Sequence, residues 1–371
     1  ATLPDRLSPA LPSHGWRGWL GPLSVGAVAA VTRLPRLGQP NAVVFDETYY
    51  AKDAWSYLRF GVEIDEVDDH KDLMMQAGDN WRVVEVFSTE PGFVVHPPVG
   101  KWVIAAGEYL FGVDPFGWRI ALAILGIAAV VMTARIVRRL TRSDALGTIA
   151  GLLLALDGIH IVLSRTALLD LVLGFWILAG FGLLLVDRDR TRQRLADDVR
   201  RHGADRVAAG LGPFLGWRPW RIAAIVMFGL ACGTKWSGIW FLAAFMAMSL
   251  VWDALARRAI GVDHPWSAAF ARDLALDAAT EPELWLKERG AKEPVALAAR
   301  NQLSPLLHLL SKRVIPVLRI VLRLLHALGR LACRLERAAR VAPLALAVEL
   351  QGHLRVRRAG VVEVVGGRGQ Q

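Results

Sequence analysis

Cysteine is nearly missing from this chain: two residues, Cys232 and Cys333, among 371. That excludes a disulfide framework, and Cys232, set in an apolar run, reads as a small buried residue. No cleavable signal peptide is evident, and the first residue is Ala1 rather than Met. Aromatics stop at Trp285. Negative charge is in deficit, with 34 Asp and Glu against 44 Lys and Arg for a formal net charge of +10. The cations form no single patch, which argues against nucleic acid as a partner. They fall between apolar segments, as they do in the cytoplasmic loops of membrane proteins. What the chain has in quantity is apolar residues, 54% of the total, with a mean hydropathy of +0.35. A soluble domain keeps more polar surface than that, so the composition points to an integral membrane protein. Many of its 14 tryptophans stand at the ends of apolar runs, among them Trp19, Trp102, Trp118 and Trp252, where interfacial aromatic belts form.

A spanning helix needs about 20 mostly apolar residues. Six segments are candidates: Trp19 to Val31 (short), Phe116 to Val137, Leu146 to Leu163, Leu168 to Val186, Ile222 to Lys235, and Ser237 to Leu255. Every second connection is rich in arginine: Arg135, Arg138, Arg139 and Arg142; then Arg188 through Arg206; then Arg257 and Arg258. Those connections are expected in the cytoplasm. The stretch from residue 33 to 99, the turn at Ser164 to Ala167 and the break at Lys235 then face the opposite side. The long loop carries an acidic cluster (Glu63, Asp65, Glu66, Asp68, Asp69) and too many aromatics to be disordered; a loop of that length is usually functional. It ends at His96-Pro97-Pro98, after which Trp102 to Phe111 is expected to form an amphipathic helix on the membrane surface.

Residues 1–261 are thus expected to form a transmembrane half, and residues 262–371 an atypical tail. Its Arg319, Arg323, Arg330, Arg334 and Arg337 share one sector of a helical wheel opposite leucines and valines. One reading is a basic helix for an anionic membrane surface; the other is a truncated gene or a shifted reading frame.

Three groups of residues have chemical potential. Asp46-Glu47 follows an apolar stretch just outside the first span. A carboxylate there can act as base toward a hydroxyl, or both can be solvated loop residues. His96, with Lys101 close behind, either contacts a ligand or holds the loop, whose backbone the two prolines fix. Arg119, Arg165 and Lys235 are all expected on the loop side at membrane depth, where charges are costly and mark ligand sites. They can converge on one anion such as a lipid phosphate or serve as interfacial anchors. Asp170, five residues after Arg165, is a candidate partner for it.

Phe45-Asp46-Glu47, His96-Pro97-Pro98-Val99-Gly100-Lys101, Ser164-Arg165-Thr166-Ala167-Leu168-Leu169-Asp170 and Lys235-Trp236-Ser237-Gly238 together resemble, in order and placement, the motifs of the protein O-mannosyltransferase family. The resemblance covers roughly residues 20 to 259. It implies an all-α integral membrane protein with a GT-C-type multi-spanning bundle and a long first extracytoplasmic loop. The implied enzyme is an inverting, metal-independent glycosyltransferase that uses no cofactor. It would move mannose from polyprenyl-phosphate-mannose to Ser or Thr of exported proteins at the plasma membrane, with the secretion channel a possible neighbour. Asp46 would be the base and Glu47 its organising partner. Arg119 matches a functionally sensitive arginine, and Arg165 and Lys235 would lie near the lipid phosphate. The family has further spans where this chain has its tail, so a spurious tail would leave the chain inactive. The alternatives are a transferase acting on a glycan or lipid, and a non-catalytic scaffold or transporter fragment.

Overall fold

The computed structural model describes residues 2–269 apart from 10, 12–14, 78–85, 211, 214–217 and 264. The tail readings therefore lie almost wholly outside the described residues. One compact unit comprises Ala1–Ala209 with Leu215–Gly261; a second, Gly210–Phe214 with Val262–Gln371, holds a short helix, Pro265–Ala269.

Helix α1 (Leu3–Leu7) and a 3-10 turn (Gly15–Trp19) lead into α2 (Leu20–Arg33). The long loop folds into α3 (Glu47–Phe60), α4 (His70–Ala77) and a small antiparallel hairpin of β1 (Ile64–Glu66) and β2 (Phe87–Pro91). Then follow α5 (Val99–Phe111), α6 (Pro115–Thr141), α7 (Asp144–Leu156), α8 (Gly158–Ser164), α9 (Leu169–His202), α10 (Ala204–Ala208), α11 (Pro219–Thr234) and α12 (Gly238–Ala259). Helix α9 packs on α11, α6 on α7 and α2, and α3 reaches the bundle through α5.

The chain is a multi-pass, all-helical membrane protein, the hairpin aside. Among the described residues three helices (α6, α9, α12) are long and apolar enough to cross a bilayer, or four if α7 and α8, bent by 65°, count as one span. The hydropathy pattern of the sequence suggests six. Helices α2 and α11 have 14 and 16 residues, about 21 and 24 Å at 1.5 Å per residue. Both fall short of a hydrocarbon core about 30 Å thick. Conversely, α9 runs 16 residues past Val186, through an arginine-rich segment expected to be a loop. Its apolar repeat does not stop there: Thr191, Leu195, Ala196 and Val199 stay buried, one stripe at helical spacing.

Arg33 secures the bend. Fully buried at the end of α2, its guanidinium donates to the carbonyls of Ala155 (3.0 Å) and Leu154 (3.3 Å), to Ser164 Oγ (3.3 Å) and to His160 Nδ1 (2.8 Å). The carbonyls that α7 leaves unpaired at its C-terminus thus find donors, while Asp157 caps α8 by accepting from the His160 N–H at 2.7 Å.

Candidate active site at the loop side of the bundle

Two arginines shape the segment between α2 and α3. Arg165, at the end of α8, donates to the carbonyls of Arg33 (2.6 Å), Pro35 (2.9 Å) and Arg36 (3.0 Å). Arg119, in the first turns of α6 and 1% exposed, donates to the carbonyls of Leu37 (3.3 Å), Pro40 (3.0 Å) and Ala42 (2.9 Å). It also binds both oxygens of Glu47 at 2.7 Å. Guanidinium geometry suits this fork, and a lysine could not reproduce it. Glu47 is fully buried and further accepts the N–H groups of Val44 (2.9 Å) and Ala167 (3.0 Å). Four donors thus saturate one carboxylate and tie the start of α3 to the joint between α8 and α9.

This clamp leaves its neighbour free. Asp46 is half-buried, and among the described residues its carboxylate makes no hydrogen bond or ion pair. Phe45 just before it holds φ at 53° with its ring 74% exposed. A bulky residue in the left-handed region is strained, and such strain gathers where a site must be held in one shape.

Around Asp46 stand Tyr50, one turn along α3, and His96, whose ring centroid lies 6.1 Å from that of Tyr50. Burial, and then the charges of Asp46, Asp170 and Asp53, push the Tyr50 hydroxyl up to about 12, so it stays protonated. His96 is held below its ordinary value by burial and by Lys235 and Lys101, with Asp170 and Asp46 opposing; it is neutral at pH 7. Its Nδ1 is buried with no hydrogen-bond partner among the described residues. Lys235, in the break between α11 and α12, pairs with the exposed Asp170 at 2.8 Å.

The structure thus brings Asp46, His96, Asp170 and Lys235 within one electrostatic neighbourhood. It gives Arg119 and Arg165 other work. Instead of gathering with Lys235 round an anion, their donors go to loop carbonyls and, for Arg119, to Glu47. Asp170 pairs with Lys235 rather than with Arg165, because Arg165 turns back toward α2. Lys101 is 1% exposed and clasps Glu63 (2.6 Å) and Asp53 (2.9 Å), so it holds the loop's interior together. Lys52 adds a second clasp to Asp53 (3.1 Å) and Glu66. Tyr50 and Arg33 were not singled out from the sequence. For Tyr50 the available signal was its place one helical turn after Asp46; for Arg33, a cation at the very end of an apolar segment.

The family model of the dolichyl-phosphate-mannose-protein mannosyltransferases matches residues 23–197. That stretch holds the Arg119–Glu47 clamp, Asp46 and the α8–α9 joint. Over those residues, just under half of the chain, it is similar to that mannosyltransferase family. Similar relatives include the polyprenol-phosphate-mannose--protein mannosyltransferases of Mycolicibacterium smegmatis (43% identical, covering 66% of this chain and 43% of the relative) and Mycobacterium tuberculosis (45% identical, covering 62% and 40%). The chain spans less than half the length of these curated mannosyltransferases. Among solved structures, the S. cerevisiae protein O-mannosyltransferase Pmt1-Pmt2 complex bound to the sugar donor aligns at 18% identity and a TM-score of 0.46, covering 73% of this chain and 35% of that one.

Proposed function

We propose that the protein transfers mannose from a polyprenyl-phosphate-mannose donor to Ser or Thr hydroxyls of exported proteins, with inversion at the sugar carbon. The observation that carries this reading is the unpaired carboxylate of Asp46 beside a fully saturated Glu47. Asp46 accepts the proton of the acceptor hydroxyl as its oxygen attacks C1 of mannose. The bond from C1 to the phosphate oxygen breaks, and its electron pair leaves with the lipid phosphate. Positioned general bases of this kind contribute about 10²–10⁴-fold. Glu47 cannot share that task, because all its acceptor capacity is committed; it positions Asp46 through the start of α3. Lys235, held half-buried by a single exposed aspartate, is the cation best placed to turn toward a lipid phosphate. Neutral His96 can offer a hydrogen bond to the acceptor or donor.

The arginine-rich ends of α6, α9 and α12 support a cytoplasmic assignment for that face. Asp46 then faces the extracytoplasmic side of the plasma membrane, where exported acceptors emerge, including any leaving a secretion channel. The names of the relatives support a protein acceptor over a glycan or a lipid.

The test is transfer of labelled mannose from polyprenyl-phosphate-mannose to a Ser/Thr-rich peptide by membranes carrying the protein. Asp46→Asn is expected to lose transfer by at least about a hundredfold while expression and membrane insertion are unchanged. Activity equal to the parent protein's would remove Asp46 from the chemistry, and absence of transfer in the parent itself would favour a scaffold.

A further inference from the structure

At the end of the bundle opposite Asp46, helices α6 and α9 leave a cavity of about 690 Å³ between them. Its walls are apolar: Ala128, Val131 and Ile136 from α6, and Ala179, Gly182 and Val186 from α9. Gly182 keeps the helices close, since a Cβ there would sit 3.2 Å from Ile136 Cδ1. From Ala128 to Arg139 the wall runs about 16 Å, close to half of a hydrocarbon core about 30 Å thick. An apolar trough of that length matches one leaflet.

The chemistry changes abruptly at its mouth, where Arg135, Arg138 and Arg139 join the lining together with Trp19. Arg138 is paired with Asp144. Asp189 is shared by Arg139 (2.9 Å), Arg142 (3.4 Å) and Arg188 (2.8 Å), three cations on one carboxylate. Arg135 donates to the Gly18 carbonyl at 3.1 Å and lies 4.0 Å over the Trp19 ring, so its partners are a dipole and a π face. The mouth therefore keeps positive charge in excess, beside an indole of the kind that settles at headgroup level.

We propose that this trough binds an anionic phospholipid, its phosphate at Arg135 and Arg139 and one acyl chain along the α6–α9 wall. A free phosphate would leave the apolar wall wet, and a zwitterionic lipid would not relieve the excess of cations. Arg–phosphate pairing and an apolar chain account for both halves of the site. The inference stands apart from mannosyl transfer, because none of these residues belongs to the Asp46 site.

The test uses the whole chain in phosphatidylcholine nanodiscs containing a phosphatidylglycerol probe with a photoreactive group in its acyl chain. Labelled peptides are then mapped by mass spectrometry. Label is expected in the segments 128–139 and 179–186, with unlabelled phosphatidylglycerol competing and phosphatidylcholine not. Arg135→Gln with Arg139→Gln should weaken competition by about fivefold per arginine. Ala179→Trp, which keeps every cation and fills the trough, should abolish label, and circular dichroism should show unchanged helicity in both variants. Equal competition by the two lipids, label indifferent to both variants, or no label in either segment because another helix covers the trough would each overturn the proposal.

Discussion

Lys101 and Arg139 are both cations set against the body of the same bundle, yet they keep opposite company. Lys101 has two carboxylates, Glu63 and an Asp53 that it shares with Lys52. Arg139 shares Asp189 with two other arginines. The contrast runs through the whole molecule. At the loop side Arg119 claims Glu47 and Lys235 claims Asp170, while Asp46 beside them has no partner among the described residues. At the other end, cations are left over. A spare carboxylate among satisfied charges is poised to take a proton. Spare cations are poised to hold an anion and to keep their end of the protein from crossing the membrane. Which charges are unpaired at each end matters more here than how many there are.

The comparison breaks most visibly if the loop-side clamp is opened. Arg119→Ala strips Glu47 of its fork and leaves a buried carboxylate without its counter-charge, a loss of about 3–5 kcal/mol. Thermal unfolding in detergent should report it, and Arg119→Lys should recover only part. The arginine end offers a control with built-in redundancy. There Arg218 and Arg221 both bind Asp187 and Asp253, with Arg218 at 2.5 and 2.8 Å and Arg221 at 3.3 and 2.6 Å. Arg221→Ala leaves both aspartates on Arg218, so the expected loss is smaller, about 1.5–3 kcal/mol. Equal losses for the Arg119 and Arg221 variants would mean that the two ends are built alike.

A finer probe is pH. His96 has a folded-state value below its ordinary 6.5, so the unfolded chain binds more protons between the two values. Stability from this group is present above about pH 6.5 and is lost as pH falls toward the folded value. His96→Gln should flatten that part of the stability curve. Lys235→Gln, by removing a nearby cation, should raise the His96 value and narrow the window, as followed by imidazole NMR shifts. Smallest of all is the effect of relaxing Phe45. Phe45→Gly removes the left-handed strain but loosens the unfolded chain, so stability should rise by at most about 1 kcal/mol. A drop in transfer with no loss of stability would assign the exposed ring to the acceptor.

Much of the site could be read along the chain, and the part that could not has a definite cause. Asp46 and Glu47 stand out as neighbouring carboxylates after an apolar stretch. Which of them is free depends on Arg119, 72 residues downstream of Glu47, and no local pattern carries that pairing. The same distance effect hid the work of Arg165, whose partners lie about 130 residues upstream. The membrane class followed from apolar content, but span lengths did not. Hydropathy falls where α9 turns arginine-rich, while its buried stripe continues and keeps the helix going. At α7 and α8 the apolar run continues through a 65° bend that Arg33 and Asp157 impose by hydrogen bonds which hydropathy does not register.

Helix α5 wears its chemistry inside out. Lys101 and Glu108 are sealed within the protein, while Trp102, Tyr109 and Leu110 are 54%, 62% and 69% exposed. A helix dressed this way is suited to the headgroup boundary, where aromatic rings prefer to sit. Because Lys101 grips Asp53 and Glu63, the folded loop is moored to that float. With α5 at that boundary, the height of Asp46 over the bilayer would be governed by where α5 comes to rest, and not by how long or how tilted the spanning helices are. A thicker or thinner membrane would be absorbed by helix tilt below, leaving the acid at the same waterline.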